Sequence, residues 1–173
     1  TLKGLFFAKT QEIAAIKDLS FEVKAGERVA FIGPNGAGKS TTIKMMTGIL
    51  HPTSGHVEVL GQVPWKARQA LGYEIGTVFG QRSQLWVHLP PSDTFELLSK
   101  IYEIDRRSYQ TRLNELVKLF EIAHLLNKPV RQLSLGERMR CEVVASLLHK
   151  PKILFLDEPT IGLDINAKLM IRS

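Results

Sequence analysis

At 173 residues, with 44% hydrophobic and 23% charged residues, the chain has the size and composition of one globular domain with a sizeable core. No apolar stretch approaches the roughly 18 residues that a membrane-crossing helix needs, and no basic-then-apolar leader stands at the start. The single cysteine, Cys141, excludes an internal disulfide; the net charge of +6 comes from scattered basic residues, so nucleic acid is not an expected partner.

Leu19, Phe21 and Val23 alternate with polar residues, a period of two that predicts a half-exposed strand over residues 14–23. After the turn Lys24-Ala25-Gly26-Glu27, the run Arg28-Val29-Ala30-Phe31-Ile32 predicts a short buried strand. A glycine-rich loop at 33–38 follows, then a helix over 40–50 closed by His51-Pro52. A strand is expected at 56–60, a short helix at 65–72 and a strand around 76–79. Residues 81–91 read as irregular, with Pro90-Pro91 as the breaker. Beyond them the period changes. Asp93 and Glu96 form a capping-box pattern ahead of Phe95, Leu97, Leu98, Ile101 and Tyr102, and Leu113, Leu116, Val117 and Phe120 mark a second amphipathic helix. A helix over 135–149, a break at Pro151 and an apolar strand at 153–157 complete the pattern. The chain is therefore expected to be α/β, a mixed sheet with flanking helices. A core with an N-terminal β subdomain covers 1–91, an inserted helical subdomain 92–132, and the remainder of the core 133–173.

Gly33-Pro34-Asn35-Gly36-Ala37-Gly38-Lys39-Ser40 matches G-x-x-x-x-G-K-[ST] at every fixed position, between an expected strand and an expected helix. Glycine lets the backbone approach an anion closely and take positive φ, and successive N–H groups form a concave nest. The helix behind aims its positive end at the same place. Lys39 would add a full charge at the β- and γ-phosphates and the Ser40 hydroxyl would hold Mg²⁺, with Thr41 completing the contacts. The pattern points to ATP or GTP.

Asp157 and Glu158 lie at the C-terminal end of an apolar strand, the sheet edge at which ligands of open α/β folds gather. Neighbouring strand residues face opposite ways, so the two carboxylates have different tasks. Asp157 is assigned to Mg²⁺ through its water shell, and Glu158 to the attacking water as general base.

Leu133-Ser134-Leu135-Gly136-Glu137 precedes the helix that leads to this strand, and resembles the Leu-Ser-Gly-Gly-Gln signature of the ABC ATPases. Pro159-Thr160-Ile161-Gly162-Leu163-Asp164 resembles their D-loop and Gln81 their Q-loop. Gly80-Gln81-Arg82-Ser83-Gln84-Leu85-Trp86 with Leu89-Pro90 resembles subunits that serve ABC-2 type exporters. The resemblance implies a P-loop NTPase core of ABC type, hydrolysing ATP with Mg²⁺ at the cytoplasmic face of the membrane beside a transmembrane permease subunit. It implies that Ser134 and Gly136 cap the γ-phosphate of ATP held by a second nucleotide-binding domain, and that Asp164 joins the nucleotide site. Gln81 would contact Mg²⁺ and the attacking water, and Phe7 or Phe6 would stack on adenine.

Leu135 and Glu137 depart from the signature. Glu137 would bring a negative charge towards another anion unless it turned to Arg138 or Arg140, so slower or weaker dimerisation is expected. The chain stops at Ser173, shortly beyond Glu158, so the switch histidine and last strands that the resemblance implies are not in it; the five histidines read as surface or structural residues. Three other readings stay open: a soluble ABC ATPase acting on ribosomes or nucleic acid, a nucleotide-binding fragment without turnover, and a small-molecule P-loop kinase.

Overall fold

The computed structural model describes residues 14–80 and 82–157. The chain divides into two compact units, Thr1–Thr42 and Ile43–Ser173.

In the first unit, the turn at 24–27 forms as its residues dictate, with the Glu27 N–H donating to the Lys24 carbonyl at 3.1 Å and Gly26 at φ 84°. The two strands expected on either side of it do not form. Residues 19–23 and 28–32 belong to no ladder, Leu19, Phe21 and Val23 are each nearly half exposed, and Ile32 is 94% exposed. Alternation marks a face suited to a sheet, but a strand persists only when a neighbour pairs its backbone groups. Nothing among the described residues does so here. The Phe21 and Phe31 rings still meet edge to face, 5.2 Å apart.

Helix α1 (Lys39–Met46) begins in the first unit and ends in the second. Gly48 stops it, several residues before the expected break at His51-Pro52. Gly48 takes φ 72°, and the N–H groups of Ile49 and Leu50 fold back to the Lys44 carbonyl at 2.8 and 3.0 Å. Residues 56–60 give a single bridge, Val59 with Gln62, where a strand was expected. Leu60 and Gly61 both take positive φ, so the chain reverses in a tight turn before a strand can extend.

Helix α2 (Arg68–Glu74) runs directly into strand β1 (Ile75–Phe79), which pairs in parallel with β2 (Ile153–Asp157), in register from Ile75↔Ile153 to Phe79↔Asp157. Parallel neighbours require a long crossover. Here it carries α3 (Pro91–Ile101), α4 (Arg106–Leu119), two short 3-10 turns at Ala123–Leu125 and Val130–Gln132, and α5 (Leu135–Leu147). Helix α3 starts at Pro91, so the expected breaker is its first residue and the Asp93–Glu96 capping box does not form. Proline has no N–H to leave unpaired in a first turn and its φ is already helical.

Helix α5 is the centre of the second unit. Met139, Cys141, Val143, Val144, Ala145 and Leu148 pack with Phe95, Leu116, Phe120, Ile122, Leu125 and Val130 of the same crossover, and with Val78 and Leu85. Cys141 is fully buried, and that burial pushes its thiol up to about 12. Where α5 crosses β1, a Cβ on Gly76 would stand 2.5 Å from the Ser146 carbonyl oxygen, so only glycine admits the helix this close. No helix among the described residues is long and apolar enough to cross a membrane.

Candidate functional site

The glycine-rich loop forms a self-contained cup. Gly36 and Gly38 take φ 83° and 84°, and the Ala37 N–H closes a turn onto the Pro34 carbonyl at 3.2 Å. Glycine is required at the two positions for different reasons. Around Gly36 there is open space, so its φ alone demands glycine; a Cβ on Gly38 would also lie 2.8 Å from the Ala15 carbonyl oxygen. Lys39 curls back over the loop, and its Nζ donates to the carbonyls of Gly33 and Pro34, both at 2.8 Å. It opens α1, whose first intrahelical bonds run from the Thr42 N–H and hydroxyl to the Gly38 carbonyl at 2.8 and 2.9 Å. Lys39, Ser40 and Thr41 therefore form the first turn of α1, the end at which a helix carries its partial positive charge. A concave backbone with a folded-in ammonium and a helix N-terminus fits a polyphosphate.

Asp157 ends β2 at the register position of Phe79, and its carbonyl accepts the Gly80 N–H at 3.1 Å. The pairing thus brings the acidic strand end beside the residue that precedes Gln81.

At the head of α5, Ser134 is the N-cap. Its hydroxyl oxygen accepts the Glu137 N–H at 3.3 Å, while a Glu137 carboxylate oxygen accepts the Ser134 N–H at 2.8 Å. This reciprocal capping box was legible as Ser-x-x-Glu and was missed in favour of Asp93–Glu96. Glu137 turns to the backbone of Ser134 rather than to Arg138 or Arg140. That backbone bond, with the Ser134 side chain, holds its carboxyl below the usual glutamate range. Leu135 projects outward, 49% exposed.

A further group went unread in the sequence. Glu142 is buried in α5, and its carboxylate accepts the Ser83 hydroxyl and the Gln84 N–H, the latter at 3.2 Å. The available signal was an acidic residue inside Cys-Glu-Val-Val-Ala-Ser, a run that buries at every position. Of the five histidines, His149 is packed inward: its ring stacks on Tyr102 at 3.9 Å and its Nε2 meets the Ile75 carbonyl at 3.0 Å. Burial lowers its pKa below the ordinary histidine value. The assignments to Phe6, Phe7, Gln81, Glu158 and Asp164 lie outside the described residues.

A sequence profile for the ABC transporter family matches residues 16–161. The chain is 39% identical over 160 residues to the probable multidrug ABC transporter ATP-binding protein YbhF of Escherichia coli (strain K12), covering 90% of this chain and 27% of that protein. It is 30% identical over 167 residues to the ABC transporter ATP-binding protein NatA of Bacillus subtilis (strain 168), covering 96% of this chain and 68% of that protein. The chain therefore spans only part of these relatives, little more than a quarter of the first. A solved dimeric ATP-binding cassette in a post-hydrolysis state, bound to ADP and Pi, aligns with a TM-score of 0.80 at 29% identity, over 95% of this chain and 75% of that one. The cup, the parallel strand pair and the helices of its crossover are thus parts of a P-loop NTPase fold, and the chain belongs to the ABC transporter family.

Proposed function

We propose that this chain binds and hydrolyses ATP to power an ABC transporter, of the ABC-2 exporter type, at the cytoplasmic face of the membrane. The observation that carries the reading is the cup at residues 33–40, with Lys39 folded onto the Gly33 and Pro34 carbonyls at 2.8 Å. Those carbonyls hold the ammonium where the phosphates would take it over, so the charge is placed before the ligand arrives. The core is drawn at 1–91 and 133–173, and the helical subdomain at 92–132.

In this reading the N–H groups of Gly36, Gly38, Lys39, Ser40 and Thr41 cradle the β- and γ-phosphates. The Ser40 hydroxyl and Gln81, with Asp157 through its water shell, would hold Mg²⁺, which when bound neutralises phosphate charge, and Gln81 would also contact the attacking water. Glu158 takes the proton of the attacking water. Phe7 stacks on the adenine. Ser134 and Gly136, at the head of α5, cap the γ-phosphate of ATP held by a second nucleotide-binding domain, with Asp164 at the same interface. Two ATP molecules would then join the two domains, as a homo- or heterodimer, about a two-fold axis, and hydrolysis would release them and move a transmembrane permease subunit. Glu137, turned to its own capping box and to neither Arg138 nor Arg140, remains a carboxylate beside Ser134 and Gly136, so slower or weaker dimerisation is still expected.

Titration with labelled ATP and Mg²⁺ tests the reading. Saturable binding is expected, lost in Lys39→Ala; binding that Lys39→Ala leaves intact would remove the cup from the mechanism.

A further inference from the structure

Glu142 is only 5% exposed in the middle of α5. A buried carboxylate costs several kcal/mol unless hydrogen bonds replace its water, and an apolar side chain of that size would pack there more cheaply. The replacement bonds come from a single loop. One carboxylate oxygen accepts the Ser83 hydroxyl, the other accepts the Gln84 N–H at 3.2 Å, and the Glu142 carbonyl accepts the Gln84 side-chain amide at 3.2 Å. The Ser83 Oγ also accepts the Leu85 N–H at 3.1 Å, and Leu85 is buried in the core. Farther along, the N–H groups of Arg131 and Val130 donate to the carbonyls of Val87 and Leu89 at 2.9 and 3.0 Å. The segment that follows Gln81 is therefore fastened to α5 about two turns behind Ser134, and again to the residues that lead into Ser134.

We infer that Glu142 is a positioning residue of the ATPase cycle: it locks the loop at 83–85 to the helix headed by Ser134 and Gly136, so that loop and helix head move as one body. The inference rests on the nucleotide-hydrolysing reading above. Ser83 and Gln84 lie two and three residues after Gln81, across Arg82, so a displacement at the helix head reaches the segment that follows Gln81 through Glu142.

The test uses the full chain, with hydrogen–deuterium exchange at residues 83–85 measured with and without Mg²⁺ and ATP, beside steady-state turnover. In the wild type, nucleotide is expected to change protection at these amides. Glu142→Ala is expected to speed exchange there about tenfold, to abolish the nucleotide response and to lower kcat about tenfold, with ATP affinity within about twofold. Glu142→Gln keeps a carbonyl acceptor and is expected to restore most of kcat. Wild-type kcat together with a wild-type exchange response in Glu142→Ala overturns the inference, as does a loss confined to ATP affinity. Should Glu142→Ala not fold, Ser83→Ala removes the loop's hydroxyl donor and leaves α5 intact; the same pattern is expected at smaller size, and unchanged kcat with unchanged exchange overturns the inference. A wild type that neither binds nor hydrolyses ATP overturns the underlying reading instead, a result distinct from a variant that matches an active wild type.

Discussion

The backbone N–H of Arg131 donates to the carbonyl of Val87 at 2.9 Å, joining the loop that follows β1 to the turn that leads into the Ser134 cap. Two segments more than forty residues apart in the chain are thereby held in one register. The same body contains the strand end at Asp157, paired with Phe79. Changes to the chemistry and changes to this scaffold should therefore produce separable effects.

Glu158→Gln keeps the size of the side chain and removes its ability to take a proton. Turnover should fall roughly 10²- to 10⁴-fold while ATP binding persists, as read by phosphate release beside equilibrium binding.

Gly76→Ala places a methyl group 2.5 Å from the Ser146 carbonyl oxygen, where strand and helix backbones must separate to admit it. Overpacking of this kind should cost about 1–3 kcal/mol, read as a lower urea midpoint with an unchanged slope.

Two groups should leave separate marks on stability against pH. Glu137 has a folded pKa below its ordinary value, chiefly through the Ser134 backbone bond, so its contribution is complete above about pH 5 and is lost as pH falls through the folded value. In Glu137→Gln the capping box survives and this acid-dependent loss should vanish. The folded pKa of His149 is also lowered, here by burial, so the unfolded chain binds its proton first. Its contribution is complete above about pH 6.5 and declines as pH falls from there towards the folded value. His149→Phe should remove that higher step and leave the Glu137 step. Urea unfolding at a series of pH values distinguishes the two.

Cys141 is buried and its thiol is pushed up to about 12, so almost no thiolate exists at pH 8. A thiol reagent such as Ellman's should leave the folded protein unmodified and react with one equivalent once denaturant is added. Rapid native labelling would contradict the packing of α5.

Local chemistry was readable where neighbouring residues determine it. The cup needs only its own glycines and Lys39, and the five-residue strand at β2 and the helix at α5 follow from their runs and breaks. What the sequence concealed depends on distant partners or on competition between signals. Residues 19–23 and 28–32 have strand patterning, yet pairing requires a neighbour that the pattern cannot name. Pro91 looks like a terminator, although a first helical turn has no use for its missing N–H. Two Ser/Asp-x-x-Glu patterns compete, and the one at Ser134 wins because α5 begins there, whereas α3 has already begun at Pro91. Glu142 goes unread because its partners lie 58 and 59 residues earlier in the chain.

The parallel pairing of Phe79 with Asp157 has a kinetic consequence. It closes a loop of about 78 residues, at an entropic cost on the order of 4 kcal/mol beyond a constant. The intervening helices are built from near neighbours and can form while the chain is still emerging from the ribosome; the strand pair must wait for them. The carboxylate end of β2 is thus assembled late, on a platform that the helices have already made.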